Sequence, residues 1–407
     1  MDKAQRLSVL DDLIKLETVN DREEIVANYL KDLFEKHGIK VELNKYADNR
    51  YNLIATIKNN DGPILGFTGH EDVVGTVDDS KWNYGPFNPK HIDGKIFGRG
   101  SSDMKSGLAG LAIALIELND DPNFNGNIKF IATVGEEIGE LGATKLAEEG
   151  YANNLKALVV GEPSNSSSRL VLEQLVGSGL IETHGAKPET RLAAFCAHKG
   201  SVTYKVISHG KAAHSSMPEV GINAIDNLIT YYNKQAEYFK NIVSVEDDVL
   251  GTTKPSVTVM NAGKQENTIP DYAEMTVKIR TIPEYNNDKI IAELEDMIAK
   301  MNDADPRMNL EFKLASSNWP VKTDIDSDFI KLVRDSYKDV LGVNILTVGA
   351  PGGTDASQFV KANPDLDVVV AGPGNESAHQ INEFVFEDDY LQYIEIYKTL
   401  AEKYFAK

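Results

Sequence analysis

Residues able to bind a divalent metal or move a proton stand at the ends of strand-like runs in this chain. Glu136 and Glu137 follow the apolar run Ile128 to Val134. His70 follows the run Pro63 to Phe67, Glu162 follows Leu155 to Val160, and His379 lies past Val368 to Ala371. Asp103 joins them from the turn before a helical run, where Ser102 or Asp103 is available as the N-cap. In open α/β sheets ligands gather at the carboxyl ends of strands. Histidines with carboxylates suit zinc, and a shared carboxylate suits two zinc ions. Two divalent ions bring four positive charges against three negative ones from Asp103, Glu137 and Glu162, so one hydroxide makes the cluster neutral.

The proton chemistry has its own candidates. Consecutive extended residues face opposite ways, so Glu137 can coordinate while Glu136 takes a proton from water and hands it to a leaving group. Residues two apart share a face, so Asp72 is placed to orient the His70 imidazole as an acceptor.

These residues need a sheet to position them, and the first half of the chain supplies its grammar. Strands are predicted at Asn52 to Ile57, Pro63 to Phe67, Lys95 to Phe97 and Leu155 to Val160, besides the run ending at Val134. Helices are predicted from Met104 to Leu118, with Met104, Leu108, Leu111, Ala112, Leu115 and Ile116 on one face, and around Ala143 to Glu149. Alternation of this kind indicates an α/β layer with a mostly parallel sheet. After Gly200 the order becomes β-α-β-β-α-β: Ser201 to Ile207, Ala224 to Phe239, Ser256 to Asn261, Ala273 to Arg280, Ile290 to Met301 and Asn309 to Leu314. That is a ferredoxin-like unit. The α/β grammar resumes after Trp319-Pro320, with a helix near Phe329 to Val340, the strand Val368 to Ala371 and a closing helix Tyr390 to Phe405. The expected division is residues 1–197 with 316–407 as a metal-binding domain and 198–315 as an inserted α+β lid. Ser164 to Phe195, opening on a serine run without clear period, reads as a linker or an insertion near the site.

Composition narrows the partners. The 407 residues are 42% hydrophobic and 8% aromatic, enough for a normal core, and the net charge is −20. Such an acidic chain is a poor match for nucleic acid or anionic lipid. Its single cysteine, Cys196, forbids an intrachain disulfide and a cysteine zinc site. The N-terminal run lacks the apolar core of a signal peptide, with Leu7, Leu10, Leu13 and Ile14 at helical spacing instead, and no window is apolar enough to span a membrane. A cytoplasmic location is expected.

Five motifs occur in order: His70-Glu71-Asp72-Val73-Val74, Gly98-Arg99-Gly100-Ser101-Ser102-Asp103-Met104-Lys105, Glu136-Glu137, Gly161-Glu162-Pro163 and the late His379. Over nearly the whole chain they resemble the acetylornithine deacetylase and succinyl-diaminopimelate desuccinylase family, whose relatives include aminoacylases, carboxypeptidases and dipeptidases. The resemblance implies a zinc-peptidase-like catalytic domain and a ferredoxin-like lid that forms a homodimer interface. It implies two zinc ions, with cobalt or manganese as substitutes: His70, Asp103 and Glu162 on one, Asp103, Glu137 and His379 on the other. Glu136 would be the general acid/base. His214, in Gly210-Lys211-Ala212-Ala213-His214-Ser215-Ser216, would stabilise an oxyanion in a neighbouring active site. Asn267 and Arg280 resemble contacts to a substrate carboxylate, and Gly352-Gly353-Thr354-Asp355 a loop lining the substrate pocket. Where many desuccinylases carry Arg-Arg-Gly, this chain has His198-Lys199-Gly200, so Lys199 offers a point charge without a bidentate fork.

The expected activity is hydrolysis of the N-acyl amide of a small amino-acid substrate, desuccinylase-like and so tied to lysine synthesis. An exopeptidase acting on a peptide bond with the same metals is the alternative, and a non-catalytic metal-binding protein a distant third.

Overall fold

The computed structural model describes every residue except 182, 184, 185 and 407. Short, largely apolar runs form a nine-stranded sheet in one compact unit, made of Met1–His198, Val321–Ala350 and Thr354–Lys407. Four neighbouring strands make its centre: Asn127–Thr133, Ile64–His70, Leu155–Val160 and Asp367–Val370. Each pairs in parallel with the next. Buried parallel strands are apolar on both faces, and in Leu155–Val160 only Lys156 is exposed. Antiparallel strands flank them, Arg50–Lys58 and Lys40–Ala47 on one side, Ala193–His198 and Val321–Lys322 on the other. The expected α/β layer with a mostly parallel sheet is what forms.

Helix Lys105–Asp120 is buried almost all round, as an apolar sequence such as Leu108–Leu118 requires. It meets the sheet so closely that side chains are excluded. A Cβ on Gly107 would lie 1.8 Å from the carbonyl oxygen of Gly161, and one on Gly372 2.1 Å from the same oxygen. Glycine at these positions lets the backbone before Glu162 sit directly against the helix. The first helix, Lys3–Lys15, buries Val9, Leu10, Leu13 and Ile14. Buried Lys105 caps its last turn, donating to the carbonyls of Leu13 (2.9 Å) and Leu16 (2.5 Å).

Ser164 to Phe195 holds more order than its composition suggests. Its serine run ends at Ser168, whose side chain accepts from the Val171 N–H and caps helix Arg169–Gly177. The segment closes into strand Ala193–His198, and residues 182, 184 and 185 within it lie outside the described residues.

The second unit is Lys199–Pro320 with Pro351–Gly353. Its strands Gly200–His209, Lys254–Ala262, Tyr272–Thr281 and Leu310–Asn318 are all antiparallel and lie in the order second, third, first, fourth. This is the split βαβ arrangement. Helices Ala224–Ile242 and Asn287–Ala304 bury Leu228, Tyr231, Ile290 and Leu294 against Val202, Tyr204, Met275 and Val277. The last strand runs on to Asn318, which carries the unit to Pro320. Among the described residues no helix is long and apolar enough to cross a membrane.

Candidate metal centre

The four central strands end side by side, and their ends carry the chemistry. His70 is the last residue of its strand, Glu162 follows Val160 by two residues, and Glu136 and Glu137 form a short 3-10 turn just past Thr133. The expectation that the two glutamates alternate as strand residues is corrected here. Gly135 adopts φ +66° and turns the chain, so it is the turn that separates the carboxylates. Asp103 does not cap the following helix either; the N-cap is Met104, with no side-chain cap bond. The Asp103 carboxylate faces two imidazoles instead.

Its Oδ1 lies 3.1 Å from His70 Nε2 and its Oδ2 3.2 Å from His379 Nε2. His70 Nε2 also lies 3.3 Å from Glu162, and His379 Nε2 3.0 Å from Glu137. Grouping by proximity alone gives two overlapping sets within 4.8 Å, His70 with Asp103 and Glu137, and His70 with Glu136 and Glu162. The shortest separations divide the residues differently, giving His70, Asp103 and Glu162 on one side and His379, Asp103 and Glu137 on the other. That second division is the chemically relevant one, because coordinating atoms share one ion only when each is within bonding reach of it. Adjacent ligand atoms around tetrahedral zinc, with bonds of about 2.0–2.1 Å, stand about 3.3 Å apart. Each observed separation lies close to that value, so the donor set fits a metal pair sharing one carboxylate.

The charges say the same. Burial works against the charged form of His70, yet the facing Glu162 and Asp103 carboxylates hold its pKa well above the usual histidine value. Hydrogen bonds to Asp103 and Glu137 push His379 up to about 10. Burial and the charge of Asp103 lift Glu162 to about 8. Burial and then Glu162 push Glu136 well above the carboxylate range. Carboxylates crowded into a buried space with too little positive charge are matched to cations.

Asp72 holds the site in a way its spacing did not reveal. The nearest acceptor to His70 Nδ1 is the main-chain carbonyl of Asp72, at 2.8 Å, while the carboxylate stands 3.6 Å away. That carboxylate accepts from the N–H groups of Glu136 (3.1 Å) and Glu137 (3.2 Å). One residue therefore fixes both the imidazole and the glutamate turn.

Thr354 belongs to the first unit, where its buried hydroxyl meets His198 Nε2 at 3.1 Å. Lys199, Gly352, Gly353, His214, Asn267 and Arg280 belong to the second. There His214 pairs with Thr268 between two short strands, and the Asn267 carbonyl accepts from the Ser215 N–H, bringing the two motifs together. Arg280 lies near the end of strand Tyr272–Thr281, and the Lys199 ammonium donates to the Thr252 carbonyl at 2.5 Å. Two residues given no role by sequence reasoning stand out, Glu383 and Arg99, and Asp355, read only as part of the pocket loop, has partners of its own. Asp355 accepts from the Thr133 hydroxyl, and burial raises it to about 7.

Residues 66–403 match the model of peptidase family M20/M25/M40. The chain belongs to this family. It is 37% identical over 427 aligned residues to a probable succinyl-diaminopimelate desuccinylase of Staphylococcus aureus strain MSSA476, covering 98% of this chain and 97% of that one. It is 30% identical to a succinyl-diaminopimelate desuccinylase of Wolbachia pipientis wMel, covering 97% and 92%. The fold is shared with the M20 metallo-carboxypeptidase Sso-CP2 of Sulfolobus solfataricus at TM-score 0.77 and 21% identity, covering 99% of each chain. It is shared too with YXEP of Bacillus subtilis, described as a dinuclear metal binding M20 peptidase, at TM-score 0.66 and 19% identity over 99% and 98% of the two chains. This M20 chain is thus a hydrolase of a metallopeptidase family.

Proposed function

We propose that the chain is a dinuclear zinc amidohydrolase of the desuccinylase type, cleaving the N-acyl amide of an amino acid, with N-succinyl-diaminopimelate as its substrate. The observation that carries the hydrolytic part is Asp103 set between His70 and His379, with Glu136 beside them. The substrate part is supported by full-length similarity to proteins named for that activity. His70, Asp103 and Glu162 would hold one ion, and Asp103, Glu137 and His379 the other.

Bound there, the pair supplies Lewis-acid polarisation of the amide carbonyl and an acidified water. Glu136 accepts the proton of the attacking water and delivers it to the nitrogen of the departing amine. Asp72 keeps Glu136 in place through its main-chain N–H. Asn267, Arg280 and Lys199 are proposed to bind the substrate's carboxylates, Gly352, Gly353 and Thr354 to line its pocket, and His214 to stabilise the oxyanion.

The test is kcat/KM of zinc-loaded enzyme on N-succinyl-diaminopimelate, N-acetylornithine, a simple N-acetyl amino acid and two dipeptides. We expect the succinyl compound to lead by about tenfold or more, or about 1.4 kcal/mol of transition-state binding. A lead for the dipeptides would establish the exopeptidase reading instead. That reading is favoured by one observation: Lys199, at the position of a desuccinylase arginine, spends its ammonium on Thr252.

The same reading includes a homodimer formed through the lid, in a cytoplasm where the lone buried Cys196 stays reduced. Strand Lys254–Ala262 is an edge of the lid sheet, and it exposes Val259 and Met260 at 47% and 50%. Sedimentation equilibrium should return twice the 44.8 kDa chain mass. A fully active monomer would remove His214 from any role across an interface.

A further inference from the structure

Two loops carry the shared carboxylate and the second histidine, and one buried ion pair ties them together. Glu383 is fully buried. One of its oxygens accepts from the N–H groups of Ser102 (2.7 Å) and Asp103 (2.8 Å). The other accepts from the Gly100 N–H (3.1 Å) and from Arg99 Nη1 (2.5 Å). Arg99, also buried, turns Nη2 toward the carbonyls of Gly75 (3.1 Å) and His379 (3.4 Å). Its guanidinium lies over Trp82, 5.1 Å from the ring centre. A second stitch runs beside it: the Ser102 hydroxyl donates to the Asn375 carbonyl (2.9 Å) and accepts from the Asn375 N–H (2.8 Å).

These bonds hold backbone that would not hold itself. His379 and Asn382 have φ of +64° and +60°, in the left-handed region disfavoured for residues with a Cβ. Such conformations persist where surrounding bonds over-determine them. The first metal position depends on this network less, since His70 ends a central strand and Glu162 closely follows another. The second position depends on it more, because two of its three ligands, Asp103 and His379, lie on the stitched loops, while Glu137 sits on the turn held by Asp72.

We propose that Glu383 and Arg99 form a positioning clamp that fixes the spacing of the two metal positions and holds the second in register with the first. The clamp rests on the two-metal reading above. A neutral group in place of the Glu383 carboxylate leaves buried N–H donors short of an acceptor. Lysine in place of Arg99 keeps the charge but cannot span Glu383 and the His379 carbonyl with one planar fork.

The experiment is Co²⁺ titration of metal-free protein by calorimetry, with visible absorption recorded after each equivalent. It compares the wild type, Arg99→Lys, Glu383→Gln and, as a remote control, Glu117→Gln, which breaks the ion cluster with Arg6 and Lys398. The wild type and the control should bind two ions. In both clamp variants the first ion should bind nearly as in the wild type, the second about 10- to 100-fold more weakly and with an altered spectrum. A general loss of stability would weaken both ions alike, and that result overturns the clamp. So does retention of both affinities and spectra. Should Glu383→Gln fail to fold, Arg99→Lys decides. A wild-type chain that binds fewer than two ions overturns the two-metal reading and the clamp with it, whereas two ions in the wild type with unchanged variants overturns the clamp alone.

Discussion

Glu136→Gln is expected to lower kcat by about a thousandfold, within the 10²–10⁴ range of general acid–base catalysis, while leaving two metal ions bound. The drop corresponds to about 4 kcal/mol of transition-state stabilisation. Glutamine keeps the size and the hydrogen-bonding oxygen of the side chain but cannot take a proton from water. The turn that carries it is held from below by Asp72 through main-chain N–H groups, which the substitution does not touch. KM should therefore change little, because the lost interaction belongs to the transition state rather than to bound substrate. Metal content by atomic absorption, measured beside steady-state kinetics, separates the outcomes. Near-normal turnover would remove Glu136 from the base role, and loss of an ion would make it a ligand instead.

The architecture was legible because its signals are local. Apolar runs ended at turns, helices showed one apolar face, and the lid's strand and helix order could be counted from Gly200 to Leu314. The candidate metal ligands stood out in the sequence because His70, Glu137, Glu162 and His379 follow such runs and Asp103 stands in the turn before a helix. What escaped depends on atoms rather than on residue types. Glu136 and Glu137 separate through a turn at Gly135, and the flanking Gly135 and Gly139 were the available sign of it. Asp72 was placed beside His70 by its spacing, but its carbonyl rather than its carboxylate meets the ring, the carboxylate being taken by the N–H groups of Glu136 and Glu137. Glu383 gave no signal at all. Its partners are three main-chain N–H groups and one arginine some 280 residues earlier in the chain, and a backbone donor has no signature in the sequence. The serine run before Arg169 was legible as a break but not as a helix cap, because a cap is recognised only beside a periodic helix, and Arg169–Gly177 is short.

The proposed sharing of Asp103 between two ions makes a second prediction with a large effect. Asp103→Ala should abolish measurable turnover and remove most of the stabilisation that metal gives the fold. Each ion bound only by the native state at one hundred times its dissociation constant adds about 2.7 kcal/mol to stability. The wild type gains this from both positions. His379→Ala touches one position only, since His379 faces Asp103 and Glu137 but not Glu162. It should keep the stabilisation of the His70 position and lose the other. Asp103→Ala takes a ligand from both, leaving His70 with Glu162 and His379 with Glu137. Two protein ligands per ion fall below the three that hold catalytic zinc, so the metal-induced rise in melting temperature should nearly vanish. The change leaves the loop intact, because the tie to Glu383 runs through the main-chain N–H of residue 103 rather than its side chain. Thermal melts of the three proteins with and without Zn²⁺ order them directly: the shift should be full in the wild type, partial in His379→Ala and close to zero in Asp103→Ala. An Asp103→Ala protein that keeps as large a shift as His379→Ala would mean that the carboxylate serves a single ion. The two imidazoles facing its opposite oxygens would then need another explanation.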